Sequence, residues 1–425
     1  MISFKELNLS ESLLKAIHDV GITEPTEIQE KTIPLVLAGK DVIAQSATGS
    51  GKTLAFGAGI IQNIKRGQGI QALVLTPTRE LAEQVAQALR TFSEYSTVGI
   101  KEVYGGVGMS AQIESFSKVE IIVGTPGRIL DHLKRGNLNL SKINFLVLDE
   151  ADRMVDMGFI QDMKEIIRRC PEKRQTLLFS ATMSTTIDHI ARQYMVHPKY
   201  ITVESFVEAA KLKQYFYDVP SNMKFSLLVY LLREEKGNLV MVFSNTRHNT
   251  DFIANNLKRL GFDVLAIHGG IEQKKRNLIM EKFHSGKEFV LICTDVAARG
   301  LDIKNVSHIY NYDLPKTDTD YIHRIGRTAR AGTEGIAISL VSKMDYENFQ
   351  RIYANDSLEI VSKKVPDIPM IHIFVDKNRH DRFNRGGRFR ERDRDDNRPR
   401  SNFGQHRRDH SRYSRAVKRM PSHRR

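Results

Sequence analysis

One pattern recurs along the chain. A short apolar run breaks off into small polar or charged residues, and a stretch with helical spacing follows. Ala72–Leu75 precedes Thr76-Pro77-Thr78-Arg79, and Ile121–Val123 precedes Gly124-Thr125-Pro126-Gly127-Arg128. Phe145–Leu148 precedes Asp149-Glu150-Ala151-Asp152, and Leu177–Phe179 precedes Ser180-Ala181-Thr182. Val240–Phe243 precedes Ser244-Asn245-Thr246-Arg247, and Phe289–Ile292 precedes Cys293-Thr294-Asp295. Leu81–Leu89, Phe159–Ile167 and Phe252–Leu260 carry the helical spacing between such runs. Uninterrupted apolar strands alternating with helices predict an α/β fold of parallel β-sheets flanked by helices on both faces. In such sheets ligands sit beyond the carboxyl ends of the strands, where each of these polar clusters falls. Taken singly, each cluster reads equally well as a solvated loop.

The alternation pauses at residues 203–211 and restarts with Gln214–Val219. This predicts two similar α/β domains, 1–205 and 206–370, with 371–425 left as a tail; 425 residues suit that division. No apolar run approaches the roughly 20 residues of a membrane span. The opening Met1-Ile2-Ser3-Phe4-Lys5-Glu6 lacks the blocks of a signal peptide, so a cytoplasmic location and no membrane partner are expected. Cys170 and Cys293 are the only cysteines and read as buried small residues. The net charge of +14 is unevenly placed, because residues 376–425 hold 18 Lys and Arg against 7 Asp and Glu. That tail lacks the apolar content to fold alone and is expected to be disordered. Its Arg385-Gly386-Gly387-Arg388-Phe389 element interleaves cations with rings, which suits single-stranded nucleic acid through phosphate contacts and stacking. A merely solubilising tail is the alternative.

Ser46-Ala47-Thr48-Gly49-Ser50-Gly51-Lys52-Thr53 lies between an apolar run and a helix-forming segment, the order a phosphate-binding loop requires. Gly49 and Gly51 let backbone amides turn inward at a helix N-terminus. Lys52 can reach the outer phosphates, and the Thr53 hydroxyl can hold magnesium. Asp149, at a strand end, can hold the same ion, and Glu150 is placed to orient or deprotonate an attacking water. Tyr321-Ile322-His323-Arg324-Ile325-Gly326-Arg327-Thr328-Ala329-Arg330 supplies three arginines. On one helix, Arg327 and Arg330 would share a face and act as arginine fingers from the second domain. A solvated basic face is the alternative. No Gly-Lys-Thr loop recurs in the second domain: after its first apolar run, taken as Leu239–Phe243, the corresponding turn reads Asn245-Thr246-Arg247. One nucleotide per chain is therefore expected.

Taken in order, these segments resemble the DEAD-box ATP-dependent RNA helicases over essentially residues 4–350. The resemblance rests also on Gly21-Ile22-Thr23-Glu24-Pro25-Thr26-Glu27-Ile28-Gln29, Gly105-Gly106, His268-Gly269, Gln273 with Arg276, and Asp295-Val296-Ala297-Ala298-Arg299-Gly300-Leu301-Asp302. It implies two RecA-like domains, ATP with Mg2+, and RNA as partner, single-stranded or in short duplexes. Function follows as RNA-dependent ATP hydrolysis coupled to clamping and local, non-processive unwinding, within RNA-processing or ribosome-assembly complexes. An ATP-gated RNA clamp with little unwinding is the rival, and a double-stranded-DNA translocase of the wider superfamily a more distant one.

The resemblance further implies that Gln29 reads the adenine edge, Phe4 lies near its ring and Asp302 meets the ribose. Asp152, Ser180, Thr182 and His323 would link nucleotide state to domain closure. RNA would be held by Pro77, Thr78, Arg79, Gly106, Thr125, Gly127 and Arg128 on one side. Thr246, Arg247, Gly270, Gln273, Arg276 and Thr294 would hold it on the other. Such contacts go mostly to backbone and sugar, so little sequence preference is expected. The sequence departs from the family pattern at Ser46, Glu27 and Ala329. A methyl at Ala329 is harmless in a helix, which is the conformation expected there.

Overall fold

The computed structural model describes residues 3–46, 49–203, 212–235, 239–286, 289–298, 306–328, 334–356 and 358–373. Among the described residues, fourteen strands form two seven-stranded sheets. The first sheet holds β1 (Val42–Gln45), β2 (Ala72–Leu75), β3 (Ile100–Val103), β4 (Ile121–Gly124), β5 (Phe145–Leu148), β6 (Gln175–Ser180) and β7 (Lys199–Thr202). The second holds β8 (Leu212–Asp218), β9 (Leu239–Phe243), β10 (Val264–Ile267), β11 (Val290–Cys293), β12 (Val306–Asn311), β13 (Gly335–Val341) and β14 (Ile360–Lys363). All pairings are parallel, with Ala44 opposite Phe179 and Val74 opposite Val147 in the first sheet. In the second, Val242 lies opposite Ile292 and Tyr310.

Period-2 geometry explains why these runs are apolar throughout. In the first sheet Ala44, Val74, Val147 and Phe179 pack into the core on one face. Ile43, Leu73, Leu75, Leu146 and Leu178 pack into the core on the other. The second sheet repeats this, with Met241, Leu291 and Ile309 on one face and Val240, Val242, Ile292 and Tyr310 on the other. Cys170 and Cys293 are buried free thiols, as read from the sequence, and burial pushes the Cys170 thiol up to about 11.

The strand orders are β3-β4-β2-β5-β6-β1-β7 and β10-β11-β9-β12-β13-β8-β14, one pattern built twice. This corrects one reading. The counterpart of β1 is β8, so the turn corresponding to the phosphate loop follows Asp218, and Leu239–Phe243 matches β2. In that turn Lys224 opens the helix Lys224–Glu234, the position Lys52 holds in the helix Lys52–Asn63. Lys224 is buried, with its Nζ 2.9 Å from Asp345 Oδ2. Its charge is matched inside the protein.

Candidate active site

β1 delivers the chain to Ser46, which is buried, and the Ser50 hydroxyl donates a hydrogen bond to Ser46 Oγ at 3.1 Å. Gly49 and Gly51 have φ of 83° and 91°, left-handed backbone that glycine adopts without strain. A β-carbon on Gly51 would lie 2.4 Å from Gln29 Nε2. Gln29 grips the loop directly: its Nε2 donates to Gly51 O at 3.0 Å, and Thr26 Oγ1 donates to Ser50 O at 2.8 Å. Lys52 is 7% exposed and donates to Ser46 O at 3.4 Å. Thr53 follows it, half-buried. Phe4 lies in a 3-10 turn, Phe4–Leu7, packed into the core of the first half. Ala47 and Thr48 lie outside the described residues.

The acidic motif follows β5. Asp149 is buried, and its Oδ1 has no hydrogen-bond partner. Burial pushes its carboxyl up to about 6, with Lys52 opposing and Glu150 adding to the rise. An unpartnered, buried carboxylate oxygen beside a lysine and a phosphate loop fits a hard cation bridged to phosphate. Glu150 is also buried, with left-handed backbone at φ 51°, ψ 52°. Burial raises its carboxyl, yet the charges of Arg153, Lys52 and Arg327 outweigh it and hold the group below its ordinary range. Asp152 turns away from these two. Its Oδ2 accepts from Ala181 N at 3.1 Å, Thr182 N at 2.9 Å and Thr182 Oγ1 at 3.2 Å. Ser180 completes the set, accepting from Asp152 N at 3.3 Å and donating to Thr182 O at 2.7 Å.

The second half meets this site through the segment after β12. Here the structure corrects the helical expectation. The helix Asp318–Ile325 stops at Ile325, with Gly326 as its C-cap, and Arg327 lies beyond it. Thr328 is drawn against Val306 in an isolated parallel bridge and donates to Ser307 O at 3.2 Å. Arg327 is 4% exposed. Arg324 plays a different part: it forms two short bonds to Asp295, at 2.6 and 2.7 Å, and donates to Asp313 O, Asn311 Oδ1 and Asn245 Oδ1. It braces the second half internally. His323 lines a small cavity with Arg153, Asp320 and Arg327. Asp302, Ala329 and Arg330 lie outside the described residues, as do Arg385 and Arg388 of the tail.

The residues expected on RNA line up at strand ends. Thr78 follows Pro77 as N-cap of the helix Arg79–Phe92, and Thr246 caps Arg247–Arg259 in the matching place. Arg79 lies against Gly106, where φ is 88° and a β-carbon would meet Arg79 Nη1 at 2.2 Å. Arg247 lies beside Gly269 and Gly270, less tightly. Thr125 caps the helix Pro126–Lys134, and Gly127 lies in its first turn. Arg128 donates to Tyr104 O at 3.2 Å and Val107 O at 2.9 Å. Thr294, buried, follows β11. Gln273 and Arg276 stand apart. Arg276 is buried, with its Nε 2.7 Å from Glu80 Oε1 across the halves, and it donates to Ala297 O at 3.0 Å. Gln273 donates to the same Glu80 oxygen at 3.5 Å. Sequence reasoning passed over Glu80, although it sits inside Pro77-Thr78-Arg79-Glu80-Leu81, and gave no role to Arg153.

The fold and site define an ATPase of two RecA-like halves. Family models identify the halves: residues 26–190 match the DEAD/DEAH box helicase, and 223–332 match the helicase conserved C-terminal domain. The chain is 42% identical to the DEAD-box ATP-dependent RNA helicase CshA of Geobacillus kaustophilus, over 87% of this chain and 79% of that protein. It is 46% identical to the ATP-dependent RNA helicase CshA of Listeria monocytogenes, over 80% of this chain and 66% of that one. Among solved structures it resembles S. cerevisiae Dbp5 bound to RNA and ADP BeF3, with TM-score 0.79 and 32% identity over 86% of this chain and 96% of that one. A DEAD box protein from Methanococcus jannaschii gives TM-score 0.53 at 40% identity, over 86% of this chain and 99% of that one. The chain belongs to the DEAD-box ATP-dependent RNA helicases.

Proposed function

We propose that this enzyme hydrolyses ATP when RNA bridges its two halves, clamping one strand and opening short duplexes locally, without processive movement. The observation carrying this reading is that Arg153, beside Glu150 in the first half, lines one cavity with His323, Arg324 and Arg327 of the second. Greater likeness to RNA- and nucleotide-bound Dbp5 than to a more identical relative supports a closed arrangement. We divide the chain into 1–205, 206–370 and an RNA-binding tail, 371–425.

Lys52 neutralises the outer phosphates, and Thr53 with Asp149 would hold Mg2+, which supplies charge neutralisation between phosphates. No group of three or more potential ligands occurs among the described residues, and a site built from one carboxylate, one hydroxyl and substrate phosphates needs none. Glu150 takes the proton of the attacking water and remains available because the surrounding cations keep it ionised. Arg327, with Arg330, neutralises charge on the transferring phosphoryl group only when the halves meet. Splitting the site between halves makes hydrolysis report closure. Phosphate release then reopens the cleft. Gln29 and Phe4 select adenine and Asp302 meets the ribose. Asp152, Ser180, Thr182 and His323 relay closure. The threonines, glycines and arginines at the strand ends contact RNA backbone, with 2′-hydroxyls distinguishing it from DNA. RNA metabolism in the cytoplasm, in processing or ribosome-assembly complexes, is the setting this suits.

The test is steady-state ATP hydrolysis with single-stranded RNA, with matched DNA and with neither, beside a strand-displacement assay. RNA alone should stimulate, and Glu150→Gln should stop turnover. Equal stimulation by DNA would move the protein to a translocase class. Hydrolysis without displacement would make it a clamp.

A further inference from the structure

Arg153 follows the acidic motif directly and is 2% exposed, among the largest fully buried side chains. A guanidinium cannot shed its charge, so one this deep requires an anion. Two carboxylates lie in its own turn. Asp152 is already engaged: Oδ2 accepts three bonds from Ala181 and Thr182, and Oδ1 accepts Arg153 N at 3.1 Å. Glu150 remains, with Oε2 3.3 Å from Arg153 Nη1. The two are close as charges but misaligned as a hydrogen bond, leaving both atoms without a hydrogen-bond partner. Glu150 also holds a left-handed backbone, which persists where the surroundings over-determine it. Beyond Glu150, Arg153 lines the small cavity with Asp295, Asp320, His323, Arg324 and Arg327 from the second half. It therefore stands between the carboxylate and the surface on which the halves close.

We propose that Arg153 is a positioning residue: its guanidinium fixes the Glu150 carboxylate against the closing surface, so that closure aims the carboxylate at the attacking water. This rests on Glu150 being the base. Arg153 pairs with Glu150 and lines the cavity, so its loss should slow turnover without weakening nucleotide binding. Because the role is one of aim, Glu150→Gln and Arg153→Met should both lose chemistry while keeping the closed, RNA-bound state.

The experiment measures kcat and KM for ATP with saturating single-stranded RNA in the wild type, Arg153→Met and Arg153→Lys. Alongside, RNA affinity with a non-hydrolysable ATP analogue is measured for Glu150→Gln, Arg153→Met and Arg153→Lys. Arg153→Met should lower kcat about tenfold or more, as misaimed groups do, with KM within about twofold. Arg153→Lys should recover most of kcat, and both Glu150→Gln and Arg153→Met should hold RNA about as tightly as the wild type. Unchanged kcat in Arg153→Met, or a loss that lysine does not rescue, would overturn the proposal. Should Arg153→Met melt early, Arg153→Lys decides, and RNA affinity falling in step with kcat in that variant rejects aim as the cause. Normal turnover by Glu150→Gln would instead reject the base assignment beneath it.

Discussion

Asp149 and Glu150 are neighbours in one motif, equally buried, and their surroundings treat them in opposite ways. Burial lifts Asp149 to about 6, while Arg153, Lys52 and Arg327 together hold Glu150 below its ordinary range. A metal ligand can tolerate the first condition because the cation it binds restores ionisation; a base at neutral pH needs the second. Lys52 acts on both carboxylates and, in the proposed role, on the phosphates, so Lys52→Ala should weaken nucleotide affinity roughly tenfold to a hundredfold, the loss expected for a charge-assisted bond. Titration with a fluorescent ATP analogue measures it, and unchanged affinity would reject the role. These residues were legible because their chemistry depends on neighbours in sequence: a glycine-rich turn, a lysine, a strand-end acid. Arg153 was not. One more charge after Asp152 looks like a solvated face, and only the packed structure shows that it is buried.

At the scale of elements, most core strands could be read from their apolar runs, and the edge strands β7 and β14 could not. Lys199–Thr202 and Ile360–Lys363 each bury a single residue, so neither carries a hydrophobic pattern. β8 is only partly buried along its length, whereas β9 is buried from Val240 onward, which is why β9 looked like the first apolar run of the second half. Setting β8 against β1 gives Lys224 a physical meaning. The lysine that could meet phosphate in the first half is, in the second, matched by Asp345, which also accepts from Ser342 N at 3.0 Å and Ser342 Oγ at 2.6 Å. The pair closes the second phosphate position from inside. Lys224→Met should leave Asp345 buried without its cation and cost about 3 kcal/mol. Urea unfolding followed by circular dichroism measures this. Adding Asp345→Asn should recover much of the loss, and additive losses in the pair would show that the two side chains act independently.

At the scale of the whole molecule, the proposed function depends on two halves meeting and on what would hold the RNA between them. Deleting residues 376–425 should lower RNA affinity and flatten its salt dependence while sparing basal ATP hydrolysis, since 18 Lys and Arg leave with the tail. Unchanged affinity in a salt series would reduce the tail to a solubilising role. The core offers a sharper case. Arg276 was expected on RNA, yet it is buried and paired with Glu80 across the halves, where Gln273 also arrives. Glu80 belongs to the same helix as Arg79, which lies against Gly106, so one turn carries both an arginine proposed to contact RNA and the acid that receives the other half. An interdomain pair with side chains 8% and 13% exposed is screened little by salt and is lost entirely when one partner is removed. Arg276→Glu should therefore abolish RNA-stimulated hydrolysis and the closed state seen by fluorescence transfer between dyes on the two halves. Exchanging the charges, Glu80→Arg with Arg276→Glu, should restore a substantial part of both. If Arg276 acted instead through RNA phosphate, the exchange would leave an acid facing RNA, and the double variant would remain as inactive as the single one.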